Sequence, residues 1–374
     1  MQLNLLASFA EVMTYISYII LAILILMIMI TIHEFGHYIV GKIFKFGINE
    51  FSIGFGPKLF QKKRKSGELF SIRALPIGGF CAFKGEDEEN DEPDAFNNKK
   101  PYQRILVLIS GAFMNYVLAL LVIALMFGIY GQYSLTTIDL SPAPSGYSKE
   151  ESFYSRDIIL SANGKSVYLT TDLMSAVENK KEGDLVDFTV RRNGENQNVK
   201  IKLRCDTDFT SVNDMQKLYS ALGIYYETDA DGNIQNGGIY STTVRHGFFE
   251  TIGRSFEYSY KLAGSILTVI GQLLTGRLGV SAVGGTITTV VTTAEAIQIG
   301  GFMYFLNMMA FIGVNLAVFN LLPVPALDGS RVIFTAIEWV RKKPLNRKVE
   351  AIIHTVGLFV ILLFAIFVDL QQCF

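Results

Sequence analysis

The chain has 374 residues, 50% of them hydrophobic and 18% charged, and a mean hydropathy of +0.33. That balance excludes an ordinary water-soluble enzyme and is the profile of a membrane protein. With 33 basic against 34 acidic residues the formal charge is −1, so there is no excess of cations to neutralise phosphates and no nucleic-acid partner is expected.

A bilayer core takes about 20 apolar residues per helix. Stretches of suitable length run over residues 16–32, 105–130, 301–322 and 351–368. The first is read as a retained span and not a signal peptide, because residues 1–12 contain no Lys or Arg and no small-residue cleavage site follows. Basic residues gather between the first two spans (Lys42, Lys45, Lys58, Lys62, Lys63, Arg64, Lys65) and between the last two (Arg341, Lys342, Lys343, Arg347, Lys348). The positive-inside rule makes both of these loops cytoplasmic, so both termini and residues 131–300 face outward.

The first cytoplasmic loop opens with two β-rich runs, residues 46–60 and 69–83, around the basic turn Lys62-Lys63-Arg64-Lys65-Ser66-Gly67, which predicts a hairpin. Its apolar composition suits a strand pair associated with the membrane, provided the backbone groups are paired or buried in protein. The acidic run from Glu86 to Glu92 reads as a solvated linker. In the outward segment, strand-length runs at 157–160, 185–191 and 199–203 predict a small α/β domain. Residues 247–275 place Phe248, Ile252, Phe256, Leu262, Ile266 and Ile270 at helical spacing, the pattern of an interfacial amphipathic helix. Cys81, Cys205 and Cys373 are far apart, odd in number and contain no CxxC, which leaves no disulfide framework or zinc ribbon to build from them.

The chemistry-bearing motif is His33-Glu34-Phe35-Gly36-His37, an HExxH at the inner end of the first span. On a helix, positions four apart share a face one turn apart, so both imidazoles can hold one Zn2+. A zinc ion with three protein ligands keeps a position for water and lowers that water's pKa toward about 7; Glu34, beside the ligands, then serves as the base. This is amide-hydrolysis chemistry. A third ligand is needed, and Asp328 follows the third span in Asn320-Leu321-Leu322-Pro323-Val324-Pro325-Ala326-Leu327-Asp328-Gly329, where two prolines must interrupt the helix. A carboxylate at membrane depth beside a broken helix is a functional-site candidate. Asp328 could instead cap the next helix, with Glu338 or Glu350 as replacement ligands. Of the other histidines, His246 reads as a surface residue and His354 as an interfacial helix contact.

HEFGH, the strand Leu75-Pro76-Ile77-Gly78-Gly79-Phe80 followed by Lys84-Gly85-Glu86, and NLLPVPALDG together resemble the site-2 protease family of intramembrane zinc metalloproteases. Within that family, the domain inserted after the second span is similar to the bacterial regulator of sigma-E protease group. Residues 153–165, with Asp157 before an apolar strand and an Asn163-Gly164 turn, resemble a single PDZ pattern, with Ser155-Arg156-Asp157 standing where Pro-Gly-Asp is usual.

The resemblance implies an α-helical polytopic membrane protein with about four transmembrane helices, a membrane-associated β-hairpin and an inserted extracytoplasmic PDZ-like α/β domain. The layout is an N-terminal membrane half (1–133), a PDZ-like domain (134–235), an amphipathic segment (236–298) and a C-terminal membrane half carrying the third ligand (299–374). It implies Zn2+ on His33, His37 and Asp328, Glu34 as general base, and Asn315 and Asn320 holding the substrate backbone. It also implies that the hairpin strand 72–83 adds to an unwound substrate. The implied partners are the bilayer and single-pass transmembrane substrates or signal-peptide remnants, cut in regulated intramembrane proteolysis at the cytoplasmic side of a bacterial cell membrane. The chain departs from the family in reading Leu327-Asp328-Gly329-Ser330-Arg331 for LDGGH. It also has Gly111-Ala112-Phe113-Met114-Asn115 where Gly-Pro-x-x-Asn is usual, and Val283-Gly284-Gly285 without a Gly-Pro. The contrasting reading is a non-catalytic membrane scaffold or metal-binding adaptor, for which a base such as Glu34 beside the open metal position has no use.

Overall fold

A computed structural model describes residues 9–86, 90–209, 214–229, 234–277, 279, 284–343 and 345–373. Residues 87–89 of the acidic run and Val283 therefore lie outside the described residues. The chain divides into two compact units, Met1–Leu125 with Ser259–Ile270 and Gly279–Phe374, and Met126–Tyr258 with Gly271–Leu278.

The helices of the first unit are α1 (Phe9–Ile43), α2 (Pro101–Tyr130, continuing into the second unit), α6 (Thr286–Asn320), α7 (Asp328–Arg341) and α8 (Arg347–Cys373). Four of these, α1, α2, α6 and α8, are long and apolar enough to cross a membrane. At 1.5 Å per residue α1 reaches roughly 50 Å, more than a bilayer core requires. α8 leaves Ile352, Val356, Phe359, Leu363 and Phe364 exposed along one helix. A continuous apolar surface of that kind is unfavourable in water and stable in lipid. The chain is a multi-pass membrane protein.

α6 breaks at Gly301, whose backbone (φ 60°, ψ −144°) is a conformation that only glycine adopts at little cost. The predicted start of the third span at 301 is thus the kink, and the helix continues before it to Thr286. There the α6 N-terminus is capped by Asp369 of α8, which accepts hydrogen bonds from the Ile287 and Thr288 amides at 3.2 Å each. The capping satisfies donors that a helix start otherwise leaves unpaired.

The predicted hairpin forms from β1 (Ile48–Lys63) and β2 (Leu69–Phe83), and it folds back on itself. Residues 48–53 pair on one side with 79–83 and on the other with 69–72, while 58–63 pair with 69–73. Segment 79–83 is left at an edge. Phe46, Phe51, Phe83 and Phe96 pack with Val107 and Leu108 of α2 into one buried cluster. At the turn, buried Glu68 receives a hydrogen bond from Tyr38 of α1 (2.8 Å) and pairs with Lys42. Burial works against the charge of Glu68, and these two partners more than offset it, lowering its pKa from the usual carboxylate value.

α7 is amphipathic. Its Glu338 meets Arg104 of α2 at 2.6 Å with both side chains buried, so the replacement ligand considered for the metal is committed elsewhere.

The second unit contains a seven-stranded sheet. Its strands are β3 (Gln132–Ile138), β4 (Ile158–Ala162), β5 (Lys165–Ser166), β6 (Leu185–Arg192), β7 (Glu195–Lys202), β8 (Tyr226–Thr228) and β9 (Ile234–Val244), in the order β7-β6-β4-β3-β9-β8 with β5 beside β4. Helices α3 (Thr170–Val177) and α4 (Met215–Leu222) contribute Leu173, Val177, Leu218 and Leu222 to its core. β9 pairs with the whole length of β3, from Gln132↔Val244 to Ile138↔Gly238, so sheet structure runs past residue 235 into the segment read as amphipathic. The amphipathic helix itself is α5 (Phe248–Leu274). Asp157, fully buried, takes two hydrogen bonds from Arg192, at 2.7 and 2.8 Å, and Arg156 beside it has φ +72°.

Removing one member of a buried ion pair strands the other charge, at a cost of about 3–5 kcal/mol. Glu338→Gln is therefore expected to lower the thermal unfolding temperature of the detergent-solubilised protein sharply. The double change Arg104→Leu/Glu338→Leu should recover most of the loss.

Candidate active site

α1 brings His33 and His37 onto one face, as the i, i+4 spacing requires. Their Nε2 atoms are 3.1 Å apart, and Asp328 Oδ2 lies 2.9 Å from His33 Nε2 and 3.3 Å from His37 Nε2. Both imidazoles are buried, and the ligand-capable atoms of the three residues fall within 4.8 Å of one another. The sequence places these groups up to 295 positions apart and the fold converges them.

His37 Nδ1 lies 2.8 Å from the Val107 carbonyl of α2. A carbonyl only accepts, so Nδ1 carries the proton and the Nε2 lone pair points at Asp328 and His33. Two imidazole nitrogens and a carboxylate oxygen crowded on one point are an unfavourable grouping by themselves and a fitting donor set for a borderline-soft divalent cation such as zinc.

Close approach of α1 and α2 makes this possible. A Cβ on Gly36 would run into the Ser110 carbonyl of α2, and one on Gly111 would stand 2.5 Å from His37 Nε2 and 2.8 Å from His33 Cε1. Gly36, inside the HExxH motif, and Gly111, at the head of the second-span motif, are therefore the points where the two helices touch.

The turn after α6 delivers the carboxylate. Ala326 has φ +77°, a costly backbone state for a residue with a Cβ. Its N–H donates to His354 Nδ1 of α8 at 3.1 Å, while Pro325 packs where Gly357 of α8 leaves space. Leu327 is then extended as the N-cap and Asp328 opens α7. Asp328 turns its Oδ2 to the imidazoles instead of capping the helix. His354, read as an interfacial contact, is a support for this turn; an isolated His in a span carries no sequence signal of that role. Ser330, at a family-departing position, is buried and donates to the Leu327 carbonyl at 2.8 Å. Arg331, the other departing position, forms an ion pair with Glu86.

Glu34 lies between the histidines in sequence, and its Oε2 accepts the Cys81 N–H at 2.9 Å. The edge segment 79–83 therefore faces Glu34. Asn315 and Asn320 lie on the last turns of α6. Asn315 Nδ2 donates to the Phe311 carbonyl of its own helix at 3.1 Å, and neither side chain is among the hydrogen-bond partners of the three converging residues.

Gly111→Ala is expected to push both rings off their positions and abolish stoichiometric zinc binding. Gly128→Ala on the same helix, where a Cβ meets nothing within 4 Å, should leave zinc content unchanged. Metal analysis of the two purified variants checks this.

The chain matches the model of peptidase family M50 over residues 21–364. Among curated proteins it is similar to one from Clostridium perfringens, 31% identical over 359 residues covering 95% of this chain and 98% of the relative. A Fusobacterium nucleatum protein is 29% identical over 360 residues (94% and 97%), and a Campylobacter jejuni protein 28% identical over 359 (94% and 92%). All three carry the name "Putative zinc metalloprotease". A family match across almost the whole chain, joined to four helices of membrane-spanning character and a His-His-Asp convergence, places this protein in peptidase family M50 as a membrane-embedded zinc metalloprotease.

Proposed function

We propose that His33, His37 and Asp328 hold the zinc ion and that Glu34 is the general base of an endopeptidase that cuts single-pass transmembrane segments, of the anti-sigma-factor or remnant-signal-peptide kind. The observation that carries this reading is the convergence of the three ligand atoms with Glu34 on the same helix turn. Zinc, when bound, polarises the scissile carbonyl and brings the pKa of a bound water down toward about 7. Glu34 would take a proton from the water that attacks the carbonyl carbon and deliver it to the departing amine nitrogen as the C–N bond breaks. The Cys81 amide holds one carboxylate oxygen of Glu34, which leaves the other to carry the proton.

A transmembrane helix hides its amides in its own hydrogen bonds, so the substrate must unwind before it reaches Glu34. The position of segment 79–83 at the edge of the hairpin, beside Glu34, supports strand addition as the way the unwound backbone is held. Asn315 and Asn320 offer carboxamides for the remaining unpaired groups, which cost free energy if left bare in a dry site. The basic residues flanking α1 and α8 support, by the positive-inside rule, an orientation with the site toward the cytoplasm of a bacterial cell membrane and both termini and the 134–235 PDZ-like domain outside. In that position the domain works as a size filter that admits substrates whose outer part has already been trimmed.

The test is cleavage of a model single-pass substrate in membranes. Glu34→Gln should lower the rate by about 10²–10⁴-fold with zinc content intact, and Asp328→Ala should lose the zinc as well as the activity. Undiminished cleavage by Glu34→Gln would refute the mechanism, and unaltered zinc in Asp328→Ala would move the third ligand elsewhere.

A further inference from the structure

The two histidines are oriented differently through their second nitrogens. His37 Nδ1 faces a backbone carbonyl, which fixes its tautomer. His33 Nδ1 faces Asn115, a fully buried side chain of α2 whose Nδ2 is 3.5 Å away and whose Oδ1 has no hydrogen-bond partner among the described residues. Val107, Gly111 and Asn115 are spaced by four along α2, so one stripe of that helix serves both rings.

We propose that Asn115 is the positioning residue that sets the tautomer of His33 for zinc binding, through its carboxamide oxygen. The inference rests on the assignment of His33 as a zinc ligand. With Nδ2 toward the ring, His33 Nδ1 accepts, the ring proton sits on Nε2, and Nε2–H donates to Asp328 Oδ2 at 2.9 Å. A proton on Nε2 is incompatible with ligation. Turning the carboxamide by half a rotation about its terminal bond exchanges two groups of nearly equal size. Oδ1 then accepts a hydrogen bond from Nδ1–H, the Nε2 lone pair is freed for the metal, and the buried unpaired oxygen gains its partner. A ligating histidine generally needs such an acceptor on its far nitrogen, and removing it typically weakens metal binding by about 10–100-fold. An aliphatic residue at 115 would fill the same space without this function.

The experiment measures zinc affinity of the full-length protein in detergent by competition with a chromogenic chelator, and the visible bands of the cobalt-substituted form. Asn115→Leu is expected to lose about 10–100-fold in affinity and to shift the cobalt bands. Asn115→Asp, which keeps an acceptor at the same place, should bind zinc at least as well as the wild type. Wild-type affinity in Asn115→Leu would overturn the proposal, as would an Asn115→Asp loss on the order of tenfold or more. If Asn115→Leu fails to fold, as judged by thermal unfolding without metal, Asn115→Asp alone decides on the same criterion. His33→Ala in the same assay separates the two levels. Retained affinity there refutes the ligand assignment itself, whereas loss there with wild-type affinity in Asn115→Leu refutes only the role of Asn115.

Discussion

Bringing two imidazoles and a carboxylate to one point within an apolar scaffold is the constraint around which the membrane unit is built. Polar groups in such surroundings are costly unless each has a partner. The protein meets this by drawing α1 and α2 together until side-chain atoms would no longer fit between them at Gly36 and Gly111. At that distance the backbone of α2 becomes a hydrogen-bonding surface for the rings of α1, through the Val107 carbonyl. Bulk at either glycine would separate the helices and remove that support at the same time.

The third group arrives by a different route. Asp328 stands on a turn that no regular helix could make, with Pro325 and the left-handed Ala326 bent against α8 and held there by His354. Behind it, α7 is tied to α2 by the buried Arg104–Glu338 pair, so the helix whose Val107 carbonyl meets His37 also anchors the helix that begins with Asp328. A buried pair of this kind contributes little net stability, but removing either partner leaves the other charge buried and uncompensated. The hairpin adds the last support by linking its edge amide at Cys81 to Glu34. No single element owns the site, which is why its parts are spread from residue 33 to residue 354.

Much of this was legible in the residue order. HExxH has a spacing with one good structural meaning, and the candidate spans stand out because lipid demands long uncharged runs. The hairpin and the strands of the second unit followed from alternation and turn residues, and Asp328 followed from prolines that had to end a helix. Other features left weaker traces. The doubled-back pairing of β1 and β2, the kink at Gly301 and the run of β9 along β3 depend on contacts between segments whose local composition is unremarkable. The support from Val107 is a carbonyl, which every residue possesses, so no side-chain identity could announce it. Asn115 and His354 were visible as polar residues in apolar runs, but nothing in their spacing said which neighbour they serve.

The sequence by itself determined the motif and the solvent: an imidazole pair with a carboxylate between them, in a chain whose apolar runs require a bilayer. These depend on residue identity and local periodicity, which neighbours in the chain share. Only the tertiary structure decided which carboxylate joins the pair, since Asp328 and Glu338 lie on the same helix and differ in what the fold sets opposite them: two histidines for one, Arg104 for the other. That choice is made by helix contacts between segments more than two hundred residues apart, because a buried charge is stable only where the fold sets a partner opposite it.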